Sequence, residues 1–146
     1  MHSALLHLGT NQGVKKDNIT MAYELIIKEV GPIAKYSSFY HTKAWGYTDQ
    51  NDFVNTAIEI ETQLSPFSLL QRCQQIENDM GRVITYKWGP RIIDIDIIFY
   101  DRILLQSSIL TIPHPQFRYR PFVLDPLNEI YGNYIDPLSG LRVDQC

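Results

Sequence analysis

This sequence is poor in the features that announce most function classes. It has two cysteines, Cys73 and Cys146, too few for a disulfide framework and without the Cys/His spacing that holds zinc. Cys73 falls in a helical pattern and Cys146 ends the chain, so both are expected as reduced thiols. No apolar run approaches the roughly 20 residues a membrane span needs. The start, MHSALLHLGTNQG, has no basic leader and no small-residue cleavage site, so the expected location is cytoplasmic. Positive charge is not in excess: 13 Lys and Arg face 16 Asp and Glu, a net charge of −3. That balance argues against nucleic acid or a membrane surface as partner. The P-loop pattern G-x-x-x-x-G-K-S/T, a kinase glycine-rich loop and a Ser-His-Asp signature are also missing. A nucleotide would have to be held by basic loops and a metal.

What is present is an ordinary globular composition, 45% apolar over 146 residues, enough for a core without staples. One domain, 1–146, is expected. Residues 3–9 (SALLHLG) read as a buried strand. In 16–31, Ile19, Ala22, Ile26 and Val30 recur at helical spacing, and Gly31-Pro32 closes the helix. Residues 33–42 are rich in β-branched and aromatic types and predict a strand; 43–51 read as a loop. In 52–62, Val54, Thr56, Ile58 and Ile60 alternate with Phe53, Asn55, Ala57 and Glu59, a strand with two distinct faces. Ser65-Pro66 is an N-cap followed by proline at the first helical position. The helix it opens carries Leu69, Leu70, Cys73, Ile76 and Met80 on one face, with a stop expected at Gly81. Residues 82–91 form a basic, aromatic loop with glycines at its ends, able to close over a site, and 92–100 a strand. The order β-α-β-β-α-β predicts an α+β, ferredoxin-like antiparallel sheet with its helices on one face. The C-terminal elements predicted are a short strand pair and a helical turn around 122–130.

Three constellations carry chemistry. Asp94 and Asp96 alternate with Ile93, Ile95, Ile97 and Phe99, so the carboxylates share one strand face and the apolar set faces the helices. Their Cβ atoms lie roughly 6.6 Å apart at a rise of ~3.3 Å per residue. Such a pair suits Mg²⁺, which demands hard oxygen ligands; an ion pair with Arg82 or Arg91 is the competing, purely structural reading. Arg82, Lys87, Arg91, His114, Arg118 and Arg120 cluster in two loops, a distribution that suits a polyphosphate. Trp45, Phe53, Trp88 and Phe122, with Asn55, suit a planar heterocycle that is stacked and hydrogen-bonded. A glycosyltransferase also uses D-x-D, and an RNA- or protein-binding module would use exposed aromatics and arginines. The negative charge weighs against the second and the short length against the first.

The segment WGPRIIDIDIIFY (88–100) resembles the signature of the 6-hydroxymethyl-7,8-dihydropterin pyrophosphokinases of folate biosynthesis. LHLGTNQG, SSFYHT, DFVNTAIEIET, IENDMGR and TIPHPQFRYRPFVLDPL follow that family's order and spacing. The resemblance implies transfer of the β,γ-pyrophosphoryl group of ATP to the pterin's hydroxymethyl oxygen, with release of AMP. It implies two Mg²⁺ ions on Asp94 and Asp96, and catalytic roles for these and for Arg82 and Arg91. ATP contacts fall on Gln74, Glu77, Arg82, Arg91, Ile97, Thr111, His114 and Arg120. Pterin contacts fall on Thr42, Lys43, Trp45, Phe53, Asn55, Trp88 and Phe122. A monomer with small-molecule substrates is expected. Ile84, where the family often has a second arginine, and Lys43 and Trp45 depart from its usual pattern.

Overall fold

The computed structural model describes residues 1–42, 52–84 and 92–146, the side chains of 82–84 excepted. The central strand is β1 (His2–Thr10), buried from Ala4 to Thr10. It pairs antiparallel with β4 (Phe53–Thr62) on one side and β5 (Asp94–Tyr100) on the other. Outside β4 lies β2 (Ile33–Tyr36), giving the order β2-β4-β1-β5, and β3 (Tyr40–Thr42) also pairs with β4. The expected strand over 33–42 is thus two short strands. With α1 (Lys15–Glu29), α2 (Pro66–Ile84) and α3 (Pro121–Tyr131), the described residues form a mixed fold of a main antiparallel sheet and three α-helices. A separate ribbon of β6 (Leu105–Gln106) and β7 (Thr111–Ile112) follows β5. No described helix is long and apolar enough to cross a membrane.

A strand buried on both faces must be apolar on both, and β1 meets a different core on each. Ala4, Leu6 and Leu8 pack with Ile19, Ala22 and Ile26 of α1 and Leu69, Cys73, Ile76 and Met80 of α2. Leu5 lies in the opposite layer, with Phe117 and with Val123 and Leu127 of α3. The helical periodicities predicted for α1 and α2 are therefore the buried stripes. Helix α1 ends against β4: a Cβ on Gly31 would stand 2.0 Å from the Glu61 carbonyl oxygen, so only glycine fits there. Helix α2 begins as expected, with Ser65 Oγ accepting from the Ser68 amide at 3.3 Å.

Two expectations need correction. Helix α2 does not stop at Gly81 but runs through Ile84, so Arg82 lies in its last turn rather than in a loop. A glycine inside a helix costs about 1 kcal/mol relative to alanine, a penalty too small to force a stop. Phe99 does not face α1 and α2 with Ile93, Ile95 and Ile97. The register with β1 slips between Leu5, opposite Phe99, and Leu6, opposite Ile97. Ile98 is the extra residue of a β-bulge, and Phe99 turns to the other layer, 5.1 Å from the Phe117 ring.

Candidate active site

The face of the sheet turned away from α1 and α2 carries two polar rows, fixed by register. In one, Asp96 stands opposite His7, which stands opposite Ala57. In the next, Asp94 stands opposite Gly9, which stands opposite Asn55. Gly9 keeps the second row open: a Cβ there would lie 3.0 Å from Asn55 Oδ1 and 3.5 Å from His7 Cε1. Thr10 anchors the approach to the acidic pair, its hydroxyl donating to the Ile92 carbonyl at 2.6 Å. Asp94 is exposed and Asp96 half-buried.

Asn55 is buried, and its Nδ2 donates to Thr42 Oγ1 at 2.9 Å. An amide and a hydroxyl held together in this way form an edge that a planar heterocycle can pair with. Phe53 is half-buried opposite Thr42, and Phe122, also half-buried, lies in the first turn of α3. Arg120 lies 5.8 Å from the Phe122 ring and donates to Gln116 Oε1 at 2.8 Å. The His114 amide donates to the Ile98 carbonyl at 3.0 Å, which fastens His114-Pro115 to β5. Burial lowers the His114 pKa; Asp96 pulls against it and Arg120 adds to it. A cleft of about 300 Å³ beside β5 is lined by Asp96, Ile97, Leu70, Thr111 and His114.

The structure therefore brings together Asp96, Ile97, Thr111 and His114 in one cleft, and Thr42 with Asn55 on the same sheet. Gln74 is exposed on α2. Glu77 is buried, with Oε2 accepting from the Ile95 amide at 2.9 Å, between the two aspartates. Lys43, Trp45, Trp88 and Arg91 lie outside the described residues, as does the Arg82 side chain. Arg118 leaves the basic cluster: its guanidinium pairs with Asp136, which is wholly buried. Among the described residues no three His, Cys, Asp or Glu converge on a metal position. Two carboxylates without a third protein ligand fit Mg²⁺, which keeps several waters and completes its shell from phosphate oxygens.

Sequence patterning alone assigns no site role to His7 or Gly9. Their signal was a break in the apolar alternation of ALLHLG on the face opposite Leu6 and Leu8.

The comparisons with known proteins identify the family. Residues 5–132 match the family model described as 7,8-dihydro-6-hydroxymethylpterin-pyrophosphokinase. A Synechocystis 2-amino-4-hydroxy-6-hydroxymethyldihydropteridine pyrophosphokinase is 43% identical over 99% of this chain and 74% of its own length. The Bacillus subtilis protein of that name is 42% identical over 97% of this chain and 86% of its own. A crystal structure titled as HPPK-DHPS in complex with substrates shares the fold, with a TM-score of 0.79 at 16% identity. It covers 99% of this chain, which spans 44% of that longer chain. On the family match and the identity to these relatives, the chain belongs to the 7,8-dihydro-6-hydroxymethylpterin-pyrophosphokinase family.

Proposed function

We propose that this chain transfers the pyrophosphoryl group of ATP to the hydroxymethyl oxygen of 6-hydroxymethyl-7,8-dihydropterin, releasing AMP in folate biosynthesis. The observation that carries the reading is a shared surface. The Asp94–Asp96 pair lies on the same sheet face as the Asn55–Thr42 edge. The cleft lined by Thr111 and His114 reaches Asp96 from the side. A nucleotide in that cleft and a flat ring beside Asn55 would meet at the carboxylates.

ATP carries roughly four negative charges and would be repelled by two carboxylates alone. Asp94 and Asp96 would hold Mg²⁺, two ions on the family resemblance, which when bound neutralise phosphate charge and lower the pKa of the attacking hydroxyl. The protein's own share is positional. Thr42, Asn55 and Phe122 seat the pterin so that its hydroxyl points along the sheet toward the acidic row. Arg120 and His114 stand on the phosphate side, and Arg82 and Arg91 are assigned to the transferring group. Arg82 belongs to the last turn of α2.

The strand order β2-β4-β1-β5, with α1 and α2 on one face, supports the ferredoxin-like reading of the sheet. We further assign residues 1–146 to one domain, acting as a monomer in the cytoplasm without nucleic-acid or membrane partners. Incubating the protein with ATP, Mg²⁺ and the dihydropterin tests the central reading. AMP and a pterin diphosphate are expected in equal amounts. ADP in place of AMP, or no turnover, would overturn it.

A further inference from the structure

We infer that His7 is a positioning residue that sets the seat of the pterin ring by holding the main chain of Phe122 against the central strand. The inference rests on the function proposed above.

The need for such a bond begins with a proline. In an α-helix the carbonyl of residue 122 would accept from the amide of residue 126. Residue 126 is Pro126, inside α3 and without an N–H. Its absence frees the Phe122 carbonyl on the turn that carries the Phe122 ring. His7 Nε2 lies 3.2 Å from that oxygen. A carbonyl only accepts, so Nε2 carries the proton and donates. Burial pushes the His7 pKa down to about 4, against the pull of Asp96, so the ring is neutral at pH 7. In the neutral ring one nitrogen donates and the other accepts, and the bond to Phe122 fixes which.

The placement ties the two halves of the site together. His7 stands opposite Asp96 in register, its ring lies 5.9 Å from the Phe122 ring, and its Cε1 lies beside the open position at Gly9 next to Asn55. A side chain 4% exposed on a strand otherwise apolar around it could have been apolar too. An apolar residue would fill the space but would leave the Phe122 carbonyl without this donor. The consequence falls on the ring that stacks with the substrate, not on the triphosphate cleft, whose lining does not include His7.

The test is a steady-state comparison of wild type, His7→Ala, His7→Gln and His7→Asn, reading the KM for dihydropterin and for MgATP separately. The Gln amide reaches about as far as Nε2 and donates to the same carbonyl; the Asn amide is too short. His7→Ala and His7→Asn should raise the pterin KM about three- to tenfold, the range of one lost hydrogen bond. Their MgATP KM should stay within about twofold, and His7→Gln should restore the pterin KM. A histidine that only packs would lower the melting temperature and leave both constants alone. If the alanine variant does not fold, the Gln and Asn variants decide: equal pterin KM values for the two overturn the inference, as does a parallel rise in the MgATP KM. Wild-type AMP formation is measured in the same series. Its absence removes the proposed function, whereas an active wild type with an unmoved pterin KM in the variants removes only the role of His7.

Discussion

Replacing Glu77 separates a residue that shapes the site from one that touches nucleotide. Its carboxylate, 6% exposed, accepts from the amide of Ile95 at 2.9 Å, midway between Asp94 and Asp96 on the outermost strand of the main sheet. A hydrogen bond to a buried charged acceptor contributes about 1.5–3 kcal/mol. Glu77→Gln keeps an acceptor oxygen and loses the charge, so about 1 kcal/mol should go. Glu77→Leu leaves the Ile95 amide without that acceptor and should cost about 1–3 kcal/mol. A chain of this size loses about 2–4 °C of Tm per kcal/mol. The glutamine variant should therefore melt a few degrees below wild type and the leucine variant lower still. Turnover should follow the same order, because a shift of about 1 Å in the carboxylates can cost as much as 10²-fold. A direct contact with ATP makes the contrary forecast: Glu77→Gln would raise the MgATP KM and leave Tm untouched. Thermal melts and initial rates on the three proteins decide between them, and that contrary pattern would refute the structural role.

Three other outcomes are expected. Asp96→Ala should abolish AMP formation, by about 10³-fold or more, while the metal-free protein stays as stable as wild type in urea; a loss of ~3–5 kcal/mol would instead mark a broken buried ion pair. Cys73, 1% exposed with its thiol pushed up to about 12 by burial and then by the charges of Glu77 and Asp96, should resist a thiol reagent in the native protein, whereas Cys146 reacts. Two fast thiols would contradict this packing. Glu129 accepts from Tyr40 Oη at 2.7 Å and from the Ser38 amide, and the Tyr40 bond leads the causes that hold its pKa below 4.5. Its stabilising share is present above pH 4.5 and lost as pH falls through the lowered value, so Glu129→Gln should be less stable at pH 7 and converge with wild type in acid; a gap that persists at low pH would refute it.

The sequence exposed what depends on one element at a time. Alternation placed Asp94 and Asp96 on one face, helical spacing picked out the buried stripes of α1 and α2, and Ser65-Pro66 marked where α2 starts. The misses involve a second element. Phe99 breaks the alternation because the extra residue is counted against β1, which the β5 sequence alone does not reveal. Arg118 looked like one more cation beside His114 and Arg120. Its partner Asp136 lies 18 residues on, buried and also bonded to Ser139 Oγ at 2.8 Å and the Leu138 amide at 2.9 Å. His7 gains its role only when the fold sets it between Asp96 and a helix whose proline has freed a carbonyl.

The bulge at Ile98 also explains how one short strand serves two purposes. Up to Ile97, β5 alternates strictly, and the face away from α1 and α2 carries Asp94 and Asp96. Strict alternation would next send Ile98 to that face and Phe99 back to the helices. With the extra residue, Ile98 and Phe99 both enter the layer beneath α3, while Tyr100 returns to the first core and donates its hydroxyl to the Leu64 carbonyl at 2.6 Å. Two consecutive large side chains give α3 an apolar seat that a regular strand could not supply on one face. Phe122 lies in the first turn of α3, and the helix's position over the sheet sets how far that ring stands from the carboxylates. The acidic row and the ring that would hold the substrate are thus placed by the same seven-residue strand, one before the bulge and the other through the packing after it.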